Sequence, residues 1–142
     1  MFKGTYIEKE MVRSDAFRGL SKSSILVLMD FLLKRRIKVR KAPNGSKIVN
    51  ILNNGEIEYC FSEAEKKGLN RNTFNNSLMQ LVEVGFIDIS HQGSGGRKGD
   101  KNLYAISERW RKWGTKDFVF KTKDKDERRG IGFALMHKNK NR

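Results

Sequence analysis

The chain has 142 residues, enough for one domain with a modest core and a tail. Lys and Arg number 30 against 16 Asp and Glu, a formal net charge of +14; this exceeds what solubility asks and points to a polyanionic partner, whether DNA, RNA or an anionic membrane face. No run approaches the roughly 20 apolar residues of a spanning helix, residues 1–15 hold no apolar signal-peptide core, and a single cysteine, Cys60, excludes an internal disulfide framework, so the expected setting is a reducing cytoplasm with no membrane partner.

Residues 1–9 are expected to form a short strand or an arm, and residues 14–20 a single helical turn presenting Phe17 and Leu20. Ser21 can cap the next helix, on which Ile25, Leu28, Met29 and Leu32 recur at helical spacing. Leu26, Val27, Phe31 and Leu33 add apolar surface on its other sides, so this helix is expected to be the buried centre of the domain. Lys34, Arg35 and Arg36 then place cations at the negative end of its dipole. Residues 42–46 (Ala-Pro-Asn-Gly-Ser) are turn chemistry. The β-prone runs 47–52 and 56–61 flank Asn53-Asn54-Gly55, which predicts a hairpin there, with Ile57, Tyr59 and Phe61 on its buried face.

Ser62 opens the next predicted helix, Glu65 completes a capping box, and Gly68 ends the helix after barely two turns. Asn70 caps a second helix over residues 71–84, where Phe74, Leu78, Leu81 and Val82 make one apolar stripe; Gly85 supplies a left-handed stop. Residues 86–90 and 103–106 are short β-prone runs separated by a glycine-rich, basic loop at 92–102. Residues 107–113 predict a last helix, stopped at Gly114. The composition then shifts: residues 116–142 hold nine Lys or Arg and four Asp or Glu, with Phe118 and Phe120 as a candidate docking strand, residues 131–136 as a small packed element and residues 137–142 disordered. The domain plan is therefore one domain over 1–115 and a basic, partly disordered C-terminal extension over 116–142.

The order helix, hairpin, helix, turn, helix, strand, basic loop, strand resembles a winged helix-turn-helix domain, most closely in spacing over residues 62–106. Gly68-Leu69-Asn70-Arg71-Asn72-Thr73, followed by Leu81-Val82-Glu83-Val84-Gly85-Phe86-Ile87, is similar to the turn, recognition helix and following strand of many bacterial winged-helix regulators. Ala16-Phe17-Arg18-Gly19-Leu20-Ser21 with its apolar helix is similar to small winged-helix proteins of phages, plasmids and other mobile elements, regulators and replication-initiator DNA-binding domains among them. The resemblance spans residues 17–113. It implies an α+β, mostly α fold with a β-hairpin wing, an extra hairpin before the helix-turn-helix and a basic C-terminal extension. It also implies sequence-selective binding of double-stranded DNA, as a transcriptional regulator or a replication-initiation protein, at the nucleoid.

The residues themselves support that direction. The helix over 71–84 carries Asn72, Thr73, Asn76 and Gln80 opposite Leu78, with Arg71 and Asn75 flanking them near its N-terminus. Asn and Gln amides can bond adenine N6 and N7 together, and Arg can bond guanine O6 and N7. A solvated face is the plain alternative. Yet Asn is a poor interior helix former, and Asn70, Asn72, Asn75 and Asn76 crowd the first two turns. In the loop at 92–102, Arg97, Lys98 and Lys101 suit a wing that reaches phosphate or the minor groove, against the alternative of a solvated loop. Its glycines match neither a Walker order nor a dinucleotide fingerprint, which needs a helix after it. Trp110 and Trp113 read as core closure, or else as base-stacking rings, while Arg109, Arg111 and Lys112 around them are candidate DNA-backbone contacts. The tail lysines suit non-specific contacts and solubility equally.

Nothing in the sequence points to catalysis. His91 and His137 have no Cys, Asp or Glu at metal-ligand spacing, Cys60 alternates with aromatic residues in a predicted hairpin, and no serine sits in a nucleophile-elbow sequence. The expectation is a protein that is not an enzyme, without metal, cofactor or small-molecule ligand, with duplex DNA as its partner. A homodimer through the apolar surplus on the helix from Ser21 stays open. Two rival roles remain: a protein–protein interaction module of a nucleoprotein complex, and a structured-RNA binder.

Overall fold

The structure is a computed structural model that describes residues 3–93 and 101–122. Three polar side chains start its helices. Ser14 Oγ accepts from Phe17 N at 3.1 Å and opens α2 (Asp15–Arg18). Ser21 Oγ accepts from Ser24 N at 3.1 Å and opens α3 (Lys22–Leu33). Asn70 Oδ1 accepts from Thr73 N at 2.8 Å and opens α5 (Arg71–Val84). Each satisfies a first-turn N–H that the helix itself cannot. Ahead of them residues 3–8 form no strand and lead, as an arm, into α1 (Lys9–Arg13), which buries Met11; the Ser14 hydroxyl donates to Met11 O at 2.6 Å and closes its end.

The helix α4 (Phe61–Lys66) starts two residues earlier than the capping-box pattern implies. Cys60 is its N-cap and makes no side-chain cap bond, so Ser62 and Glu65 do not form the expected box. Phe61 is drawn in by its ring contact with Phe74, 6.3 Å between centroids. Gly68 at φ +91° makes the turn into Asn70.

The structure moves the first hairpin. β1 (Ile37–Lys41) pairs antiparallel with β2 (Lys47–Ile51) around residues 42–46, where Gly45 N donates to Ala42 O at 2.9 Å. The predicted partner run, 56–61, contributes only one bridge, Ile57 to Tyr104. A two-residue Asn-Gly turn needs positive φ at both central residues. Among the described residues no non-glycine residue has positive φ, and Asn53 and Asn54 turn their amides to other uses. Asn53 Oδ1 accepts from Arg36 N at 2.9 Å while its Nδ2 donates to Lys34 O at 3.0 Å. Asn54 Oδ1 accepts from Ile106 N at 2.6 Å while its Nδ2 donates to Ile106 O at 3.3 Å.

β3 (Ile87–His91) and β4 (Leu103–Ile106) form the second antiparallel hairpin, with an irregularity between Ile89 and His91. The predicted last helix is a single 3-10 turn over Arg109–Lys112, ended at Gly114 with φ +81°. No strand forms at Phe118 and Phe120; Phe118 packs edge-on against Trp113 at 5.2 Å and Phe120 is exposed. Residues 123–142, most of the expected extension, lie outside the described residues.

The core sits between α3 and α5, the helices in closest mutual contact. Val27, Leu28, Phe31 and Leu32 meet the buried stripe of Phe74, Leu78, Leu81 and Val82. Phe31 lies 5.2 Å from the Tyr59 ring and 5.1 Å from the Tyr104 ring, and Tyr59 lies 5.0 Å from Phe74. Phe86 stacks on Trp110 at 5.7 Å. Contrary to expectation, α3 is not buried on all sides: Leu26 is 50% exposed and Leu33 63%. A domain this small has too little mass to wrap a whole helix. Among the described residues the result is an α+β fold of five α-helices and two small antiparallel hairpins, an arrangement compatible with a winged helix. Among the described residues no helix is long and apolar enough to cross a membrane.

Candidate nucleic-acid interface

The geometry of α5 follows from its two ends and its stripe. Asn70 caps the start, Gly85 at φ +100° stops it, and Phe74, Leu78 and Leu81 turn one side into the core. The other side must then face out. Arg71, Asn72 and Asn76 are exposed, and Thr73, Asn75 and Gln80 are half-buried. Residues 71–82 carry no acid; Glu83 stands at the far end.

Two of the six expected base-reading residues are held by neighbours. The Arg71 guanidinium lies 4.3 Å from the Phe61 ring centroid. That cation–π contact holds the side chain beside the start of α4. Gln80 is tied back: its Oε1 accepts from Ser21 N at 3.1 Å, joining α5 to the start of α3. Its role is to position α3 against α5. A groove of about 330 Å³ runs beside this bond, lined by Ser21, Ser23, Thr73, Asn76, Ser77 and Gln80, all hydroxyls or amides. The polar surface of α5 therefore continues onto α3.

A latch of charges, unseen in the sequence reading, fixes α4 against α3. Tyr59 Oη donates to Asp30 Oδ2 at 2.5 Å, Lys67 pairs with Asp30 at 3.0 Å, and Lys34 pairs with Glu63 at 2.6 Å. Lys34 and Lys67 also sit 4.9 and 5.5 Å from the Tyr59 ring. Burial, reinforced by the bond to Asp30, pushes the Tyr59 phenol well above its ordinary range, and burial also raises Tyr104. No spacing rule could pair these residues, because they come from three separate segments.

The basic loop is anchored at its base. Asn102 Oδ1 accepts from Gly93 N at 2.6 Å, and its Nδ2 donates to Tyr104 Oη at 3.4 Å. Lys101 is exposed; Arg97 and Lys98 lie outside the described residues.

The cluster near the tryptophans divides. Arg109 is a structural clamp: Nε donates to Asp88 Oδ1 at 2.8 Å, Nη2 to Val82 O at 2.7 Å and to Ile87 O at 3.2 Å, and Nη1 to Val119 O at 2.9 Å. It satisfies a late carbonyl of α5 and ties that helix to β3. Arg111 faces Glu8, Glu10 and Glu108 at 2.6, 3.0 and 3.0 Å, and the Glu8 bond raises its pKa further. All three guanidinium nitrogens of Arg109 and both Nη atoms of Arg111 meet the protein's own oxygens; Arg109 is half-buried in doing so, while Arg111 stays exposed. Lys112 is exposed. Trp110 is buried against Phe86, whereas Trp113 is 41% exposed and meets Phe118.

Among the described residues no three His, Cys, Asp or Glu side chains gather where they could hold a metal ion, and Cys60 is a half-buried free thiol. Compared with protein-family models, with curated proteins and with solved structures, the chain matches none.

Proposed function

We propose that this is a winged helix-turn-helix protein that binds double-stranded DNA with base selectivity, as a transcriptional regulator or a replication-initiation protein. The observation that carries the reading is the N-terminal half of α5: Arg71, Asn72 and Asn76 stand exposed on an acid-free face directly after the Gly68 turn. A helix offered this way can enter a major groove N-terminal end first, with amides set for adenine and an oriented guanidinium set for guanine. Of the cations expected to meet phosphate, Lys101 at the loop base and Lys112 beyond β4 stand exposed among the described residues. Arg97 and Lys98, on the same loop, join them on the strength of the sequence alone. Non-covalent recognition suffices, and no step needs a cofactor.

Selection of bound sites from a random duplex pool, followed by titration over a salt series, tests this. The expected affinity falls steeply as salt rises. Asn76→Ala is expected to relax base preference at one position, costing about 1–3 kcal/mol of discrimination. Lys101→Gln is expected to weaken all sequences alike and flatten the salt slope by about one. Binding that ignores salt, or equal loss of selectivity in both variants, would sink the assignment. A hairpin RNA that outcompetes the duplex would move it to RNA.

A further inference from the structure

The 25 residues from Phe31 to Gly55 hold seven Lys or Arg and no Asp or Glu. Most of that run is the β1–β2 ribbon, which pairs only with itself in a two-stranded sheet. Its register sets Lys38 opposite Asn50, Val39 opposite Val49, Arg40 opposite Ile48 and Lys41 opposite Lys47. Alternation puts Ile37, Val39, Lys41, Lys47, Val49 and Ile51 on one face and Lys38, Arg40, Ile48 and Asn50 on the other, so the cations flank the ribbon on both faces. No residue of either strand is buried.

This is an odd element for a monomer to carry alone. A lone two-stranded hairpin is marginal in water, and Lys41 directly across from Lys47 adds like-charge repulsion. Elsewhere cations meet acids: Lys34 meets Glu63, Lys67 meets Asp30 and Arg111 meets three glutamates. Among the described residues no ion pair reaches Lys38, Arg40, Lys41 or Lys47. Yet the base of the ribbon is firmly fixed. Asn53 bonds the backbone of Arg36 and Lys34, Leu52 N donates to Arg36 O at 2.7 Å, and Asn54 bonds Ile106. The charges are thus carried on a held arm.

We propose that β1–β2 is a second, phosphate-directed contact to duplex DNA, made by Lys38, Arg40, Lys41 and Lys47 outside the bases that α5 reads. The proposal rests on the DNA-binding reading above. Charge complementarity selects a polyanion, and the ribbon's shape and composition select a duplex. Five residues of strand span about 17 Å, and a major groove about 12 Å wide admits a two-stranded ribbon. Residues 37–51 contain no aromatic ring on which an unpaired base could stack, and none to anchor in a lipid interface.

The test uses the full chain and the duplex selected by the wild type. One variant carries Lys38→Gln, Arg40→Gln and Lys47→Gln. A control carries Lys9→Gln, Arg13→Gln and Arg18→Gln, three exposed cations with the same charge change. Affinity is measured by fluorescence anisotropy from about 50 to 200 mM salt, a range over which a handful of phosphate contacts changes affinity by orders of magnitude. The ribbon variant is expected to bind about tenfold more weakly, with a log–log salt slope shallower by about 2–3, while its base preference stays that of the wild type. The control is expected to keep the wild-type slope. Should the ribbon variant melt early, the pair Lys41→Gln and Lys47→Gln carries the same expectation, with a slope change of about 2. Equal slopes for wild type and ribbon variant would overturn the proposal, as would equal losses in both triple variants. Unchanged DNA binding with new self-association would also overturn it, since the cations would then be guarding bare strand edges. So would ribbon-dependent binding to phosphatidylserine vesicles without an effect on DNA. A wild type that binds no duplex would fail the DNA-binding reading itself, and that result differs from a wild type that binds and a variant that matches it.

Discussion

Gly85 is the residue on which the geometry of the site turns. A Cβ placed there would lie 2.7 Å from Trp110 N and 2.9 Å from Arg109 C, with φ at +100°. Those obstacles are backbone and cannot swing aside. Gly85→Ala is therefore expected to destabilise the fold by more than about 1 kcal/mol from the left-handed backbone alone, with the clash adding to it; a lower denaturant midpoint at unchanged m checks this. Arg109 and Lys112 make a second contrast. Arg109→Ala is expected to cost about 2 kcal/mol, because Asp88 and the Val82 carbonyl lose a charged donor. Lys112→Ala is expected to leave stability within about 0.5 kcal/mol and to lower only the affinity for DNA. Thermal melts and duplex titration of the same two proteins separate these outcomes. The roles of Gly85 and Asn70 were legible beforehand, because caps and stops act within a few residues. Arg109 was not. A guanidinium in Arg-Trp-Arg-Lys looks alike whether it faces a phosphate or an aspartate 21 residues away.

At the scale of elements, the segment between α3 and α4 is where local signals conflict. Two turn-forming pentads compete there, Ala42-Pro-Asn-Gly-Ser46 and Asn53-Asn-Gly within its flanks, and the earlier one makes the hairpin. The later one keeps its asparagines out of the left-handed region and uses their amides as cross-links. Periodicity could not have decided this, since the competing strand runs are equally β-prone. Asn54→Ala is expected to cost about 1 kcal/mol and to speed exchange of the Ile106 amide. An Ile106 amide as slow as in the wild type would count against the cross-link. The α4–α5 pair was read correctly in position but not in support. Its apolar stripe and cap are local, while the Tyr59–Asp30–Lys67 latch joins segments far apart in the chain.

For the whole molecule, the α+β class and the order of α2 to α5 were readable because α2, α3 and α5 carry their own cap residues, whereas α1, which starts without a side-chain cap, was not; the sharing of charges was not readable either, because net charge says nothing of where it is neutralised. The buried phenols couple the fold to alkaline pH. Tyr59 and Tyr104 both titrate above their ordinary 10.0 in the folded chain. Their contribution is complete below the unfolded value and is lost as pH climbs through the folded one. Stability is thus expected to fall from about pH 10 upward, and Tyr59→Phe to soften that fall, as urea midpoints across the range would report. The Asn54 side chain has one further effect. On the outer margin of β4, Tyr104 exchanges both backbone bonds with Ile57, and Ile106 has its N–H and C=O taken by a single amide. A visiting chain finds no vacant ladder there. Polymerisation by strand addition is closed off at that border by the Ile57 backbone and one asparagine, and loss of the asparagine would reopen the Ile106 end to other copies.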